Sequence, residues 1–265
     1  MKLRDHLPKI KGEGVYIDDF TPKNTAYLFI VRSPIARGVI KSVSKPDNVL
    51  LSLTWEDVKA YLPVRADPET MKTGKIVKMP LLADGRVNFV GQPVLAFVVE
   101  DRYEGEDIAE QVSIDYEELP PILDIESALN STEQIHSGVE RNISVDKTLE
   151  GGQLSAKRSA DVIVSRKIYQ NRIVSNPMEP KGVLVYWDGD NLNVYGSFQS
   201  AFRIRGDLRE VLNLPPEKIR VYSTLVGGGF GNKVPLHAEY ALAAIASMKL
   251  RRPIKWIETR MEHLK

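Results

Sequence analysis

The residues that bear most directly on chemistry are Gly227-Gly228-Gly229-Phe230-Gly231-Asn232-Lys233, four glycines in seven positions. Glycine admits positive φ and lets another group approach the main chain closely. The run falls between a strand reading over Lys218–Val226 and a helix reading over Pro235–Lys249. Backbone N–H groups there, backed by a helix N-terminus, would form an anion cradle of the kind that holds a phosphorylated cofactor. A tight turn that uses glycine for packing alone is the competing reading. Two common phosphate motifs fit badly. A P-loop ends in Gly-Lys-Ser/Thr, whereas this run ends Asn232-Lys233-Val234. The dinucleotide fingerprint Gly-x-Gly-x-x-Gly is satisfied at Gly227 and Gly229 but meets Asn232 at its third position, although Glu258 could imitate its ribose-binding acid.

Other candidates are sparse. His6, His136, His237 and His263 show no metal-ligand spacing, and read as ordinary surface histidines. Ser33 and Ser197 lack a Gly-x-Ser-x-Gly elbow. Asp18-Asp19 and Glu117-Glu118 are adjacent pairs whose side chains diverge in a strand, so neither makes an acid–base dyad. Glu179, within Met178-Glu179-Pro180, is the most interesting acid, and its structural reading is preferred. With no cysteine, the chain offers no disulfide, thiol nucleophile or thiolate ligand for an iron–sulfur cluster. No complete catalytic set emerges.

These residues need a frame. Ala26–Arg32 and Gly38–Val43 read as strands, and Thr54–Leu62 as a helix with a Thr54/Asp57 capping box. Pro93–Glu100 is apolar enough for a strand covered on both faces; Tyr103–Val112 reads as an amphipathic helix and Ser113–Glu117 as a strand. Periodicity fades between Glu118 and about Ser159, a linker reading. Ala160–Tyr169, Gly182–Trp187 and Leu192–Gly196 read as strands, the last two joined by a turn at Asp188-Gly189-Asp190-Asn191. Ala201–Leu212 is helical, and Pro253–Glu258 is a further strand.

The bulk numbers suit such a frame. The chain has 265 residues, 43% hydrophobic and 27% charged, enough for a sizeable core. Its 36 basic and 35 acidic residues balance to +1, which argues against nucleic acid or a membrane surface as partner. No apolar run reaches membrane-spanning length and the N-terminus lacks a signal-like run, so the expected location is the cytoplasm.

Taken in order, several motifs resemble the molybdenum-cofactor large subunit of the xanthine oxidase, aldehyde oxidoreductase and carbon monoxide dehydrogenase family. They are Gly14–Asp19, Val31-Arg32-Ser33-Pro34, Val90–Val94, Val112–Pro120, Pro177–Pro180, Ser197-Phe198-Gln199, Val226–Lys233 and Arg252–Trp256. The resemblance covers nearly the whole chain, as the N-terminal portion of such a subunit. It implies an α+β fold: an α/β hammerhead domain over residues 1–130, a linker over 131–159, and the first part of a molybdopterin-binding α/β domain over 160–265. It further implies molybdopterin carrying molybdenum, in some members as the cytosine dinucleotide, with FAD and [2Fe–2S] clusters on partner subunits.

Carried over residue by residue, the cofactor-binding positions are Gln199, Gly228, Gly229, Phe230 and Gly231, with Gln199 and Phe230 nearest the metal. Gln199 matches a glutamine that hydrogen-bonds an oxygen ligand of molybdenum, against a surface-glutamine alternative. Lys233 could neutralise cofactor phosphate, or be an exposed lysine at a helix start. Two departures count. Val234 stands where purine-acting members carry glutamate, which favours an aldehyde or carbon monoxide branch. The catalytic glutamate, and the copper-binding cysteine of carbon monoxide dehydrogenases, belong to a further region of several hundred residues. The expected function is therefore part of a molybdenum hydroxylase that oxidises an aldehyde to a carboxylate with water-derived oxygen. Its expected partners are the C-terminal half of the large subunit, an iron–sulfur subunit and an FAD subunit. The alternatives are a non-catalytic assembly module and a nucleotide-binding oxidoreductase that uses the glycine loop.

Overall fold

The computed structural model describes residues 6–66, 68–148, 151 and 160–264. In chain order the helices are α1 (His6–Ile10), α2 (Trp55–Val58), α3 (Pro68–Thr73), α4 (Glu104–Gln111), α5 (Ile125–Asn130), α6 (Ala201–Leu212), α7 (Ala238–Leu250) and α8 (Arg260–His263). The strands are β1 (Ala26–Arg32), β2 (Gly38–Val43), β3 (Leu51–Leu53), β4 (Arg86–Val87), β5 (Pro93–Val99), β6 (Ile114–Glu118), β7 (Gly182–Trp187), β8 (Leu192–Gly196), β9 (Ile219–Ser223) and β10 (Ile254–Ile257). The chain divides into two compact units. The larger comprises Met1–Val64, Lys78–Ile122 and Ser175–Lys265, and the smaller Arg65–Val77 with Leu123–Val174.

A mixed sheet in the order β3-β5-β1-β10-β7-β8-β9 organises the larger unit. β1 runs antiparallel to β5 through Phe29↔Phe97 and parallel to β10 at Ala26↔Ile254, which joins early strands to late ones. Strand β5 is buried from Val94 to Val99, as its unbroken apolar sequence demands of a strand covered on both faces. On one side Ile108 and Ala109 of α4, with Val112 just beyond it, pack against Leu95, Phe97 and Val99. On the other lies α7, whose Ala241, Ala243, Ala244 and Ala246 are fully buried; small side chains let it seat closely on β7 and β10. A second sheet, β4-β2-β6, closes over Ala83, Val87 and Val94. The fold is α+β.

Several sequence expectations need correction. The strand, helix and strand expected between Pro93 and Glu117 all form, and the two strands, β5 and β6, belong to different sheets. The helix expected over Thr54–Leu62 stops at Val58. Lys59 turns left-handed at φ +45, Leu62 N–H donates to the Met79 carbonyl at 2.8 Å, and Tyr61 bridges Pro80. Pairing with residues 79–80 outcompetes the one remaining helical turn. The strand expected over Ala160–Tyr169 is not formed. Strand β9 ends three residues before Val226, and α7 starts three residues after Pro235. The Asp188–Asn191 turn forms as expected, with Asp188 Oδ1 accepting the N–H groups of Asp190 and Asn191 at 3.0 and 2.7 Å.

Within the smaller unit, Asp124 caps α5 by accepting the Ser127 N–H at 2.7 Å. Asn142 fixes the following loop, accepting from Ile135 N–H and donating to the carbonyls of Ala128 and Glu133. No helix among the described residues is long and apolar enough to cross a membrane.

Candidate functional site

Strands β8 and β9 are parallel neighbours, paired from Leu192↔Ile219 to Gly196↔Ser223. Gln199 follows the carboxyl end of β8, and the glycine loop follows the carboxyl end of β9. In open α/β sheets this is the end where ligands gather. Ser197 and Phe198 are buried and anchor the first connection, and Gln199 emerges exposed before α6.

Gln199 is tied to the loop at three points. Its backbone N–H donates to the Lys233 carbonyl at 3.0 Å. Its side-chain Oε1 accepts from the N–H groups of Gly231 and Lys233, both at 3.1 Å. Because both partners are donors, the amide orientation is fixed: Oε1 must face the loop and the NH2 group must face away. Among the described residues nothing accepts from Nε2. Gly229 makes this contact possible, since a Cβ there would lie 2.5 Å from Gln199 Cδ and Oε1. Gly228 and Gly231 sit at φ +95 and +89, where a side chain is strained. Phe230 also has positive φ, +47, and is 74% exposed, so its ring is not core.

A buried ion pair fixes the other side of the loop. Glu179 Oε2 accepts from Gly227 N–H at 2.7 Å and from Lys233 Nζ at 2.8 Å. Lys233 is fully buried; burial pushes its ammonium below the usual lysine range, and Glu179 opposes that shift. Glu179 Oε1 is buried with no partner. The segment carrying Glu179 is held in turn by α8: Arg260 donates to the Pro177 and Met178 carbonyls at 2.9 and 3.1 Å, and His263 Nε2 donates to the Ser175 carbonyl. His263 Nδ1 meets Glu258 Oε2 at 3.0 Å, and Glu258 also pairs with Lys181.

This geometry revises the cradle. The N–H groups of Gly227, Gly231, Asn232, Lys233 and Val234 are all taken within the chain. Those of Gly228, Gly229 and Phe230 have no partner among the described residues. Lys233 is neither an exposed lysine nor free for a phosphate, because its ammonium is committed to Glu179. The N-terminus of α7 is not aimed at the loop as an open dipole. Its first turn holds the buried Glu239, a carboxylate that meets the positive end of the helix and binds Arg32 at 2.7 Å. His237 and His263 are not surface residues: His237 Nε2 donates to the Asn232 carbonyl at 2.7 Å, and the His263 side chain is 1% exposed. Glu258, closed in by Lys181 and His263, is no ribose-binding acid. Nor does the loop open a helix directly, as a dinucleotide fingerprint requires.

Two cavities lie elsewhere, one of about 380 Å³ beside Phe20 and Tyr195 and one of about 650 Å³ beside Tyr27 and Trp256. Among the described residues no cluster of three or more His, Asp or Glu could hold a metal ion. The site therefore offers hydrogen-bond donors, not metal ligands.

Two family profiles match the sequence: the a/b hammerhead domain of aldehyde oxidase and xanthine dehydrogenase over residues 11–120, and the molybdopterin cofactor-binding domain over residues 135–265. The chain belongs to this molybdopterin-binding aldehyde oxidase and xanthine dehydrogenase family. It is 31% identical to the carbon monoxide dehydrogenase large chain of Hydrogenophaga pseudoflava, matching 96% of this chain and 34% of that one. It is 29% identical to the nicotine 6-hydroxylase large subunit of Paenarthrobacter nicotinovorans, over 96% and 32%. Its structure superposes on quinoline 2-oxidoreductase from Pseudomonas putida 86 with a TM-score of 0.87 and 27% identity, over 98% of this chain and 34% of that one. The chain thus spans about a third of the length of these relatives.

The residues present fit the family's cofactor. An outward-facing amide NH2 and three unpartnered backbone N–H groups suit a ligand rich in oxygen acceptors, with no side-chain metal ligand required of this chain. The Glu179–Lys233 pair was not legible in the sequence. Its members are 54 positions apart and share no periodicity, so only the fold brings them together.

Proposed function

We propose that this chain forms one wall of a molybdopterin site in a molybdenum hydroxylase large subunit. We further propose that the assembled enzyme oxidises an aldehyde to a carboxylate with oxygen from water. The observation that carries this reading is the fixed orientation of Gln199: both N–H groups that meet Oε1 hold it inward, so the NH2 group is presented outward beside the loop. Gln199 would then hold the cofactor through its outward NH2 group, a donor that adds no charge. The N–H groups of Gly228, Gly229 and Phe230 would donate to acceptors of the pterin, and the exposed Phe230 ring would offer it an apolar face. Gly231 contributes by holding Gln199, since its own N–H is spent on that residue.

When bound, the molybdenum centre would take up the electrons released by the substrate. We infer that the cofactor is the cytosine dinucleotide form, and that electrons leave through [2Fe–2S] and FAD subunits. The general base comes from the remaining two thirds of a large subunit of the relatives' length. Glu179 cannot serve, because its carboxylate is held by Lys233 and Gly227. Val234 supports a substrate other than a purine.

A second substrate reading has its own support. The relatives named for nicotine and quinoline favour hydroxylation of an aromatic N-heterocycle. Reduction of a dye acceptor by the assembly that contains this chain, with an aliphatic aldehyde, benzaldehyde, nicotine, quinoline and xanthine in turn, separates the readings. Turnover with the aldehydes alone supports the first, and turnover with nicotine or quinoline alone supports the second. Turnover with xanthine alone contradicts both.

A further inference from the structure

Every residue from 160 to 174 is exposed, and no helix or strand forms there. The sequence of this segment is nonetheless that of a strand. Val162, Ile163, Val164, Ile168, Tyr169 and Ile173 are 63–87% exposed. β-branched and aromatic side chains of this kind favour a pleated, buried surface. Val162, Ile163 and Val164 are consecutive, so in a strand they point to both faces, as do Ile168 and Tyr169. An apolar run on both faces belongs to a strand covered on both sides. Among the described residues no backbone N–H or carbonyl between 160 and 174 has a hydrogen-bond partner. The segment carries all the local signals of an internal strand and none of its pairing.

We propose that residues 161–174 form a β-strand on joining the remainder of the large subunit, which supplies both the neighbouring strand edge and the apolar cover. Two observations point to this occupant. Nearly the whole chain superposes on one third of a longer solved chain, so a large subunit has about twice this chain's length available to cover such a surface. The segment also carries Arg166, Lys167 and Arg172 against a single acid, Asp161, so two copies laid together would concentrate like charge. The identity of the partner rests on the function proposed above; the pairing itself does not.

Hydrogen exchange tests it, with the full chain compared alone and within the assembly recovered through a tag on it. Amides of residues 163–173 are expected to exchange freely in the chain alone and about tenfold or more slower in the assembly. Crosslinks from Lys167 are expected to reach large-subunit sequence beyond the third that this chain matches. The doubly substituted Ile163→Pro/Ile168→Pro chain, which lacks two ladder donors, should keep the melting temperature of the unsubstituted chain and lose most of the assembly. Protection already present in the chain alone would overturn the proposal. So would protection that rises with the concentration of the chain alone, which marks a second copy, and so would normal assembly of the proline variant. A molybdenum-free assembly with protected amides would sink the cofactor reading and leave this one standing.

Discussion

The Lys233 ammonium, fully buried, lies 2.8 Å from Glu179 Oε2, the same oxygen that accepts the Gly227 N–H at 2.7 Å. One carboxylate oxygen thus holds both ends of the glycine loop. Lys233→Met leaves that carboxylate buried and unpaired, a change that costs about 3–5 kcal/mol when a buried pair is broken on one side. Urea denaturation should show that loss. The double variant Glu179→Gln/Lys233→Met, which removes the stranded charge, should recover more than half of it.

Gly229 and Gly231 should differ in how they fail. A Cβ at Gly229 meets Gln199 Cδ and Oε1 at 2.5 Å, so Gly229→Ala must push that side chain off the Gly231 and Lys233 N–H groups. A Cβ at Gly231 meets nothing within 4 Å, and Gly231→Ala carries only the strain of φ +89, about 1 kcal/mol. Cofactor content of the purified assembly should fall sharply with Gly229→Ala and little with Gly231→Ala, at similar thermal stability.

Asp57 predicts an acid-side effect. Burial pushes its carboxyl up, but Lys45 and the amide and hydroxyl of Thr54 outweigh that and hold it at about 2. A carboxyl held below its ordinary value contributes stability that is present above that value and lost as protons bind. The contribution should be intact above about pH 4 and disappear toward pH 2. The side chain is about one third exposed, so solvent screening limits the gain to about 1 kcal/mol. Asp57→Ala should lower stability by that amount at neutral pH and flatten its fall between those values, as read from denaturation midpoints.

Gln199→Glu separates holding from donating. A carboxylate can still accept from Gly231 and Lys233 N–H but has no NH2 to present. The variant should fold with near-normal stability and turn substrate over at least about a hundredfold more slowly, in the range seen when one positioned donor is lost. Wild-type turnover by this variant would remove Gln199 from the site.

How far the sequence could be read follows from where its signals were local. Strands β1, β2, β7 and β8, and helix α6, coincide with their sequence readings, because alternation and caps are encoded within each segment. The short β3 and β4 were invisible, at three and two residues too brief for any period. The segment from Ala160 to Tyr169 shows the reverse case, strand-like in composition but unpaired, because composition reports what a residue favours and not whether an edge is present. At the site, the motif containing Gln199 and the glycines was legible as sequence. The roles of Lys233, His263 and Glu258 were not, since each depends on a partner brought close by the fold: Glu179 for the first, Ser175 and Lys181 for the other two.

Whether this chain faces a molybdopterin is decided by elemental and pterin analysis of the intact assembly, purified through a tag on this chain. Molybdenum and pterin are expected in equal amounts, stoichiometric with the chain, and both should fall together in Gly229→Ala. An assembly free of molybdenum and pterin, recovered from cells supplied with molybdate, would contradict the molybdopterin reading.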